Sequence, residues 1–384
     1  MFTKERIMCA LALLLCALLP LAGWAEEAAD PTAPPTQPLR SARIRAVGDV
    51  MAHDHQLKIA KRKDDSYDFH PQLSLIADAL GNADYTIANL ETTIGKCRGQ
   101  GYSGYPSFNS PRALLDALKD AGVDFLTLAN NHMLDRRLEG VLNTVGYVEA
   151  YGFDYGGANR SLEEKARPVI AEVNGIRIGF ICETRYTNSQ ENYLKPEDRE
   201  YAINYLRAGE FQEDLQRLKD ENVDVIIAIP HWGEEYMRKP DQKTQQIARA
   251  MIAMGVDVIL GSHPHVAQPI QMLTVQGEDG RERTGLVAYS MGNFLSNQNW
   301  RYANASLMLD FTLQEKQGGG FQVKNVGVIP LYIWNTQKMV CTVSAQKYLE
   351  HPHEAMDAKT VKDMKQAYGD LRKLIDERVP FLVG

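Results

Sequence analysis

Metal-binding types of side chain gather in this chain at the ends of short apolar runs. Val123 and Asp124 precede a run that ends on Asn130, Asn131 and His132. Val223 and Asp224 precede one that ends on His231, and Val256 and Asp257 one that ends on His263, Pro264 and His265. Two further runs end on Asp49 and on Asn89 and Glu91. Imidazole with carboxylate, and no thiolate, is a ligand set for zinc, manganese, iron and similar divalent ions. A carboxylate bridging two such ions suits metal-assisted hydrolysis or phosphoryl transfer, because the pair lowers the pKa of a bound water and stabilises the attacking and leaving oxygens. Taken singly, Asp49 also reads as a turn or cap residue, Glu91 and Asn89 as loop hydrogen-bonders, and His231 as a satisfied core histidine. Asn131 and His132 also suit a turn. The coincidence of all of them at strand ends is what points to a site. Asp135, one turn beyond His132, is either an orienter of that imidazole or an early-helix acid.

His263 and His265 flank Pro264. In an extended segment residues two apart point to one side, so the expectation is a pair facing one metal position or two neighbouring ones. His351, Pro352 and His353 repeat the tripeptide without a buried strand before it, and are expected at the surface.

Such side chains must be carried by elements. Short continuous apolar runs fit strands buried on both faces, as in a parallel sheet. Open α/β sheets place ligands at the C-terminal ends of their strands. Helical patterns lie between the runs, over Pro111–Lys119 after a capping Ser110, Glu210–Lys219, and Thr244–Met254 before Gly255. That alternation predicts βαβ units. Pro168–Val173 and Ile176–Phe180 flank an Asn-Gly pair and predict a hairpin. Leu286–Ser290, Ala305–Leu313 and Phe321–Trp334 predict antiparallel strands. The expected class is α/β, a layered sandwich with two sheets inside helices.

The ends read differently. Lys4 and Arg6 precede an apolar stretch, Ile7–Leu21, and small residues lead to Ala25. This is the pattern of a secretory signal over residues 1–25, with an uncleaved membrane anchor as the alternative. Residues 26–40 are rich in Ala, Pro and Thr and read as a flexible linker. One domain is expected over 41–340, then a helical tail over 341–384 with an amphipathic helix at Met356–Arg378. Beyond the leader, Cys97, Cys182 and Cys341 allow at most one disulfide and show no metal-type spacing. A formal charge of -7 over 384 residues, with only short basic clusters, argues against a nucleic-acid partner.

Six segments fall in order: Gly48-Asp49-Val50-Met51, Asn89-Leu90-Glu91-Thr92, Ala129 to Asp135, His231-Trp232-Gly233-Glu234, Gly261 to Val266, and Ser290-Met291-Gly292-Asn293-Phe294. Together, over Arg43 to Pro330, they resemble the CapA family of poly-γ-glutamate capsule biosynthesis proteins. The resemblance implies the fold of calcineurin-like metallophosphoesterases, a four-layer αββα sandwich with a dinuclear centre. It implies two divalent ions (manganese, zinc or iron), with Asp49 and His265 on the first, Glu91 as the bridge, and Asn131, His231 and His263 on the second. His132 would be the acid that stabilises the transition state or leaving group. The sequence departs from the phosphoesterase pattern where Glu91 replaces an Asp and Met51 replaces a His; His53 or His55 is the candidate to substitute. Arg185, in the segment from Glu183 to Asn188, is either a partner for a substrate carboxylate or phosphate or an ordinary surface residue. The implied role is in the cell envelope: assembling, exporting or trimming the capsule polymer, with a metal-dependent hydrolase site. The implied partners are an anionic polymer or phosphoester substrate and membrane-bound capsule synthesis proteins. The alternatives are a non-catalytic assembly subunit and a general extracytoplasmic metallophosphoesterase.

Overall fold

The strands that carry the site are buried on both faces, which is why they read as unbroken apolar runs. Tyr85–Leu90 and Val225–His231 are buried at every position. A computed structural model describes residues 38–97 and 101–384; the signal expected over 1–25, and the linker as far as residue 37, lie outside the described residues.

Four strands start from the same device. An Asp just before the strand accepts a hydrogen bond from a backbone N–H of the parallel neighbour. Asp84 accepts from Arg43 at 2.7 Å, and Asp124 from Thr86, Asp224 from Arg177 and Asp257 from Ile226 at 2.9 Å each. The recurring Val-Asp pairs are therefore strand-to-strand ties.

Two sheets result. The larger runs in the order Val340–Ser344, Phe321–Asn335, Ala305–Glu315, Ser41–Val50, Tyr85–Leu90, Phe125–Thr127, Asp154–Gly156, with Asn293–Leu295 paired beside the end of Ser41–Val50. The smaller runs Ile270–Gln276, Glu282–Ala288, Val258–Leu260, Val225–His231, Ile176–Thr184, Val169–Val173. One core fills the space between them, with Ile44, Ile87 and Phe125 from the larger sheet and Phe180, Ile227 and Leu260 from the smaller. A second core, with Leu90, Leu126, Leu118 and Val145, covers the far face of the larger sheet with helices Ala113–Asp120 and Arg137–Ala150. A third covers the far face of the smaller sheet with Ala208–Asp220 and Gln242–Met254. The layers are helix, sheet, sheet, helix, the expected αββα sandwich.

The helices bury the faces their periodicity marks: Phe211, Leu215 and Leu218 in one, Ala248, Met251 and Ile252 in another. Asp241 caps the latter by accepting from the Thr244 N–H at 2.7 Å. The hairpin turns through Asn174 and Gly175, both at positive φ, as a two-residue connection demands. Two expectations are corrected. Ser110 does not cap a helix; its hydroxyl meets that of Thr92 at 2.9 Å, and the helix begins at Ala113. Glu282–Ala288 is antiparallel to Ile270–Gln276 but parallel to Val258–Leu260.

The tail expected to be helical over 341–384 opens instead in the strand Val340–Ser344, which pairs with Phe321–Asn335, and its helix Ala358–Arg372 buries Met364, Ala367 and Leu371. Cys97, Cys182 and Cys341 are buried free thiols, so among the described residues none forms a disulfide. No helix of the described residues is long and apolar enough to cross a membrane.

Candidate metal centre

Ser41–Val50, Tyr85–Leu90 and Phe125–Thr127 lie side by side and parallel in the larger sheet, and Val225–His231 and Val258–Leu260 do so in the smaller. Their C-terminal ends deliver Asp49, Glu91, Asn131, His231, His263 and His265 to one place. Gly48 makes the approach of Asp49 possible, since a Cβ there would stand 1.8 Å from the Gly292 carbonyl oxygen. The Asp49 N–H donates to that carbonyl at 3.0 Å.

The ligand atoms form two groups. Glu91, His231 and His263 make one, and Asp49, Glu91 and His265 the other, with the atoms of each group within 4.8 Å of one another. Glu91 belongs to both. Its Oε1 is buried with no hydrogen-bond partner, 3.7 Å from His231 Nε2 and 3.9 Å from His265 Nε2. On the first side, His265 Nδ1 lies 3.1 Å from Asp49 Oδ2. On the second, His231 Nε2 lies 3.0 Å from Asn131 Oδ1 and 3.1 Å from His263 Nδ1.

The electrostatics fit cations at this place. Burial, then the neighbouring Asp49 carboxylate, pushes the Glu91 pKa well above its ordinary range. A buried carboxylate with no counter-charge is expensive, and a cation beside it removes the penalty. Burial, reinforced by His263 and His265, holds His231 neutral. Burial, then His265, lowers His263 to about 3. Neutral imidazoles with free lone pairs and an orphaned carboxylate oxygen are a donor set for divalent ions.

One expectation fails in an informative way. The His263-Pro264-His265 segment is not extended: φ is +96° at His263 and +57° at His265. An extended segment would send both rings to one side. The bend instead sends His263 to His231 and His265 to Asp49, with the ring centroids 6.1 Å apart. Non-glycine residues at such φ cost about 1–3 kcal/mol each and concentrate at functional sites.

His132 and Asp135 stand beside the ligand groups as a pair. Asp135 Oδ2 holds His132 Nδ1 at 2.7 Å and also accepts from the Phe108 N–H at 2.6 Å. That leaves His132 Nε2 as the remaining ring nitrogen. Neither substitute for Met51 joins the groups. His53 Nδ1 accepts from the Asn297 N–H at 3.2 Å, and His55 Nε2 meets the Thr336 carbonyl at 2.8 Å. Met51 itself is buried. Glu234, in the fourth motif, is exposed. His351 is exposed, as expected, and His353 is half-buried against Trp334 at 5.5 Å.

Sequence reasoning did not assign the residues that hold the candidate ligands, though it read Asn89 as a hydrogen-bonder. Asn89 Nδ2 donates to Asp49 Oδ1 at 2.8 Å, and Asn130 in turn donates to Asn89 Oδ1 at 3.2 Å. Ser262 Oγ holds His231 Nδ1 at 2.9 Å, and Asn293 Oδ1 lies 3.1 Å from His265 Nδ1. Such partners fix ring orientation and tautomer. All four lie inside the recognised motifs, which was the available signal.

Two facing sheets whose strand ends share one buried carboxylate between two imidazole groups define a class: α/β sandwich proteins with a candidate metal-binding centre. The chain belongs to the family described as bacterial capsule synthesis protein PGA_cap, whose model matches residues 43–298. It is 28% identical over 275 residues to the capsule biosynthesis protein CapA of Bacillus anthracis, covering 70% of this chain and 63% of that one. It thus spans under two thirds of that relative's length. It is 25% identical over 290 residues to the PGA biosynthesis protein CapA of Bacillus subtilis (strain 168), covering 73% of this chain and 70% of that one. The solved structure of the calcineurin-like phosphoesterase YfkN from Bacillus subtilis aligns at a TM-score of 0.42 and 15% identity, over 88% of this chain and 99% of that one.

Proposed function

We propose that this chain hydrolyses a bond in an anionic polymer, in the assembly, export or trimming of a poly-γ-glutamate capsule, at a two-ion centre. Family membership and the two named relatives support the biological role. The observation that carries the chemistry is the buried, unpartnered Glu91 Oε1 between His231 and His265. Asp49 and His265 would hold one ion, Asn131, His231 and His263 the other, and Glu91 both. Two divalent ions so held would supply an acidified water and charge stabilisation for the attacked and leaving oxygens. His132 Nε2 delivers a proton to the leaving group, and Asp135 fixes the ring for that task. The work is done in the cell envelope: Lys4, Arg6, the apolar stretch Ile7–Leu21 and Ala25 support export across the membrane. A mature protein starting at Glu26 would establish cleavage, and an unprocessed terminus would favour an anchor.

Elemental analysis of the manganese- or zinc-incubated protein tests the centre, beside a hydrolysis screen on phosphoesters and γ-glutamyl amides. The expected result is about two ions per chain, both lost in Glu91→Ala, with turnover that follows the metal. Binding of no ion overturns the hydrolase reading. A second reading, a non-catalytic assembly subunit, is favoured by Met51 and by the engagement of His53 with Asn297. It expects a single ion and no turnover.

A further inference from the structure

Beyond the strand Ile176–Thr184 the chain folds into a polar pocket of about 380 Å³ whose lining includes Arg185, Tyr186, Thr187, Asn188, Ser189 and Arg207. This pocket adjoins the metal centre. The Tyr186 ring lies 4.8 Å from the His263 ring, and its hydroxyl donates to the Gly233 carbonyl at 3.0 Å. The Arg185 backbone N–H donates to the carbonyl of His231 at 3.0 Å. Wall and ligands are therefore in direct contact.

The charges in the pocket are not equivalent. Arg207 is committed, donating to Glu210 at 2.8 Å and lying over the Tyr205 ring at 4.5 Å. Glu191 is committed as well, accepting from the Thr187 hydroxyl. Arg185, a half-buried residue, has no carboxylate partner among the described residues; its guanidinium lies 5.5 Å from the Tyr186 ring. An unpaired guanidinium with five donors in a fixed fork is the side chain best matched to a carboxylate or phosphate. Asn188 and Ser189 add uncommitted side-chain donors at its mouth, on a backbone held at φ +51° and +58°.

We propose that this pocket is a substrate subsite that seats an oxyanion group, carboxylate or phosphate, with Arg185 as its counter-charge. The inference rests on reading the adjoining centre as the place where an anionic polymer is cut. An anion seated on Arg185 sets the next bond of the polymer over the side of the centre formed by His231 and His263. The pocket thereby fixes which substrates enter and in what register.

The test is calorimetric binding to the metal-incubated full-length chain. The probes are oligo-γ-glutamate, the same oligomer with its α-carboxylates amidated, and inorganic phosphate. The variants are Arg185→Ala, Arg185→Lys and, as a control outside the pocket, Arg378→Ala. The charged oligomer or phosphate should bind Arg185→Ala about 10- to 100-fold more weakly than wild type, the loss of one charge-assisted contact. Arg185→Lys should fall between, and Arg378→Ala, an exposed arginine paired with Asp376 outside the pocket, should match wild type. Tight binding of the oligomer marks a carboxylate subsite; binding of phosphate alone marks a phosphate subsite. Equal binding of the charged and amidated oligomers, no binding of any anion, or an unchanged affinity in Arg185→Ala overturns the proposal. Metal content is measured on the same samples. A chain that binds anions through Arg185 yet holds no ion would sink the hydrolase reading alone, whereas one that holds its ions but ignores Arg185 would sink this one alone.

Discussion

His132 differs from the ligands in what it touches. Its Nδ1 is taken by Asp135 and its ring packs edge-on against Phe108 at 4.7 Å, so it is fixed without belonging to either ligand group. A fixed imidazole with one uncommitted nitrogen is placed to relay a proton, the role proposed for it. His132→Asn should therefore lower turnover about 100- to 10,000-fold while metal content stays that of wild type. A parallel loss of metal would place His132 among the ligands instead. Asp135→Asn keeps a polar group of the same shape and should cost less than His132→Asn in the same assay. At this scale the sequence spoke clearly wherever a ligand type closes an apolar run, as with Asp49, Glu91 and His231. It marked Asn89 only as a loop hydrogen-bonder and was silent on Ser262 and Asn293, because these act on other side chains brought near only by folding. It misled at His263 and His265, whose left-handed backbone follows from the need to serve two positions and not from local propensity.

Strands and their ties set how accurately those side chains meet. Asp124 is the simplest tie, one carboxylate oxygen accepting the buried Thr86 N–H. Asp124→Ala leaves that donor unpaired in the core, at a cost of about 1–3 kcal/mol. Urea unfolding should show the loss, and Asp124→Asn, which keeps an oxygen acceptor, should recover most of it. An unchanged midpoint in Asp124→Ala would mean that the tie contributes nothing. Gly48→Ala tests the other requirement, close approach. Its Cβ would meet the backbone oxygen of Gly292 at 1.8 Å, an obstacle no rotamer change relieves. The strand must shift, so both stability and metal content should fall together. Element identity was readable from burial on two faces and from helical periodicity, since both are written in neighbouring residues. Ser110 and the mixed pairing of Glu282–Ala288 were not, because what decides them is a strand distant in sequence.

At the scale of the molecule, the sandwich buries some groups for which it supplies no partner. Glu183 is the clearest away from the metal centre. It lies next to the end of a strand of the smaller sheet, on the same face as Ile181, which packs with Phe211 and Leu215 of the covering helix. Its carboxyl is buried and neither oxygen has a hydrogen-bond partner. Burial, then the nearby Asp214 and Glu210 carboxylates, drives its pKa well above the ordinary 4.5, with Lys165 opposing only in part. A folded-state pKa raised above the unfolded value means the fold favours the protonated acid. Its contribution to stability is fully present below the ordinary carboxylate range and is lost as pH climbs towards the folded value. Glu183→Gln keeps the shape and removes the ionisation. The melting temperatures of variant and wild type should therefore differ least in mild acid and diverge towards neutrality, with the variant the more stable. Parallel profiles across that range would show that Glu183 finds a partner in solution, and a variant less stable at neutral pH would show that the carboxylate itself is what the helix and sheet need there.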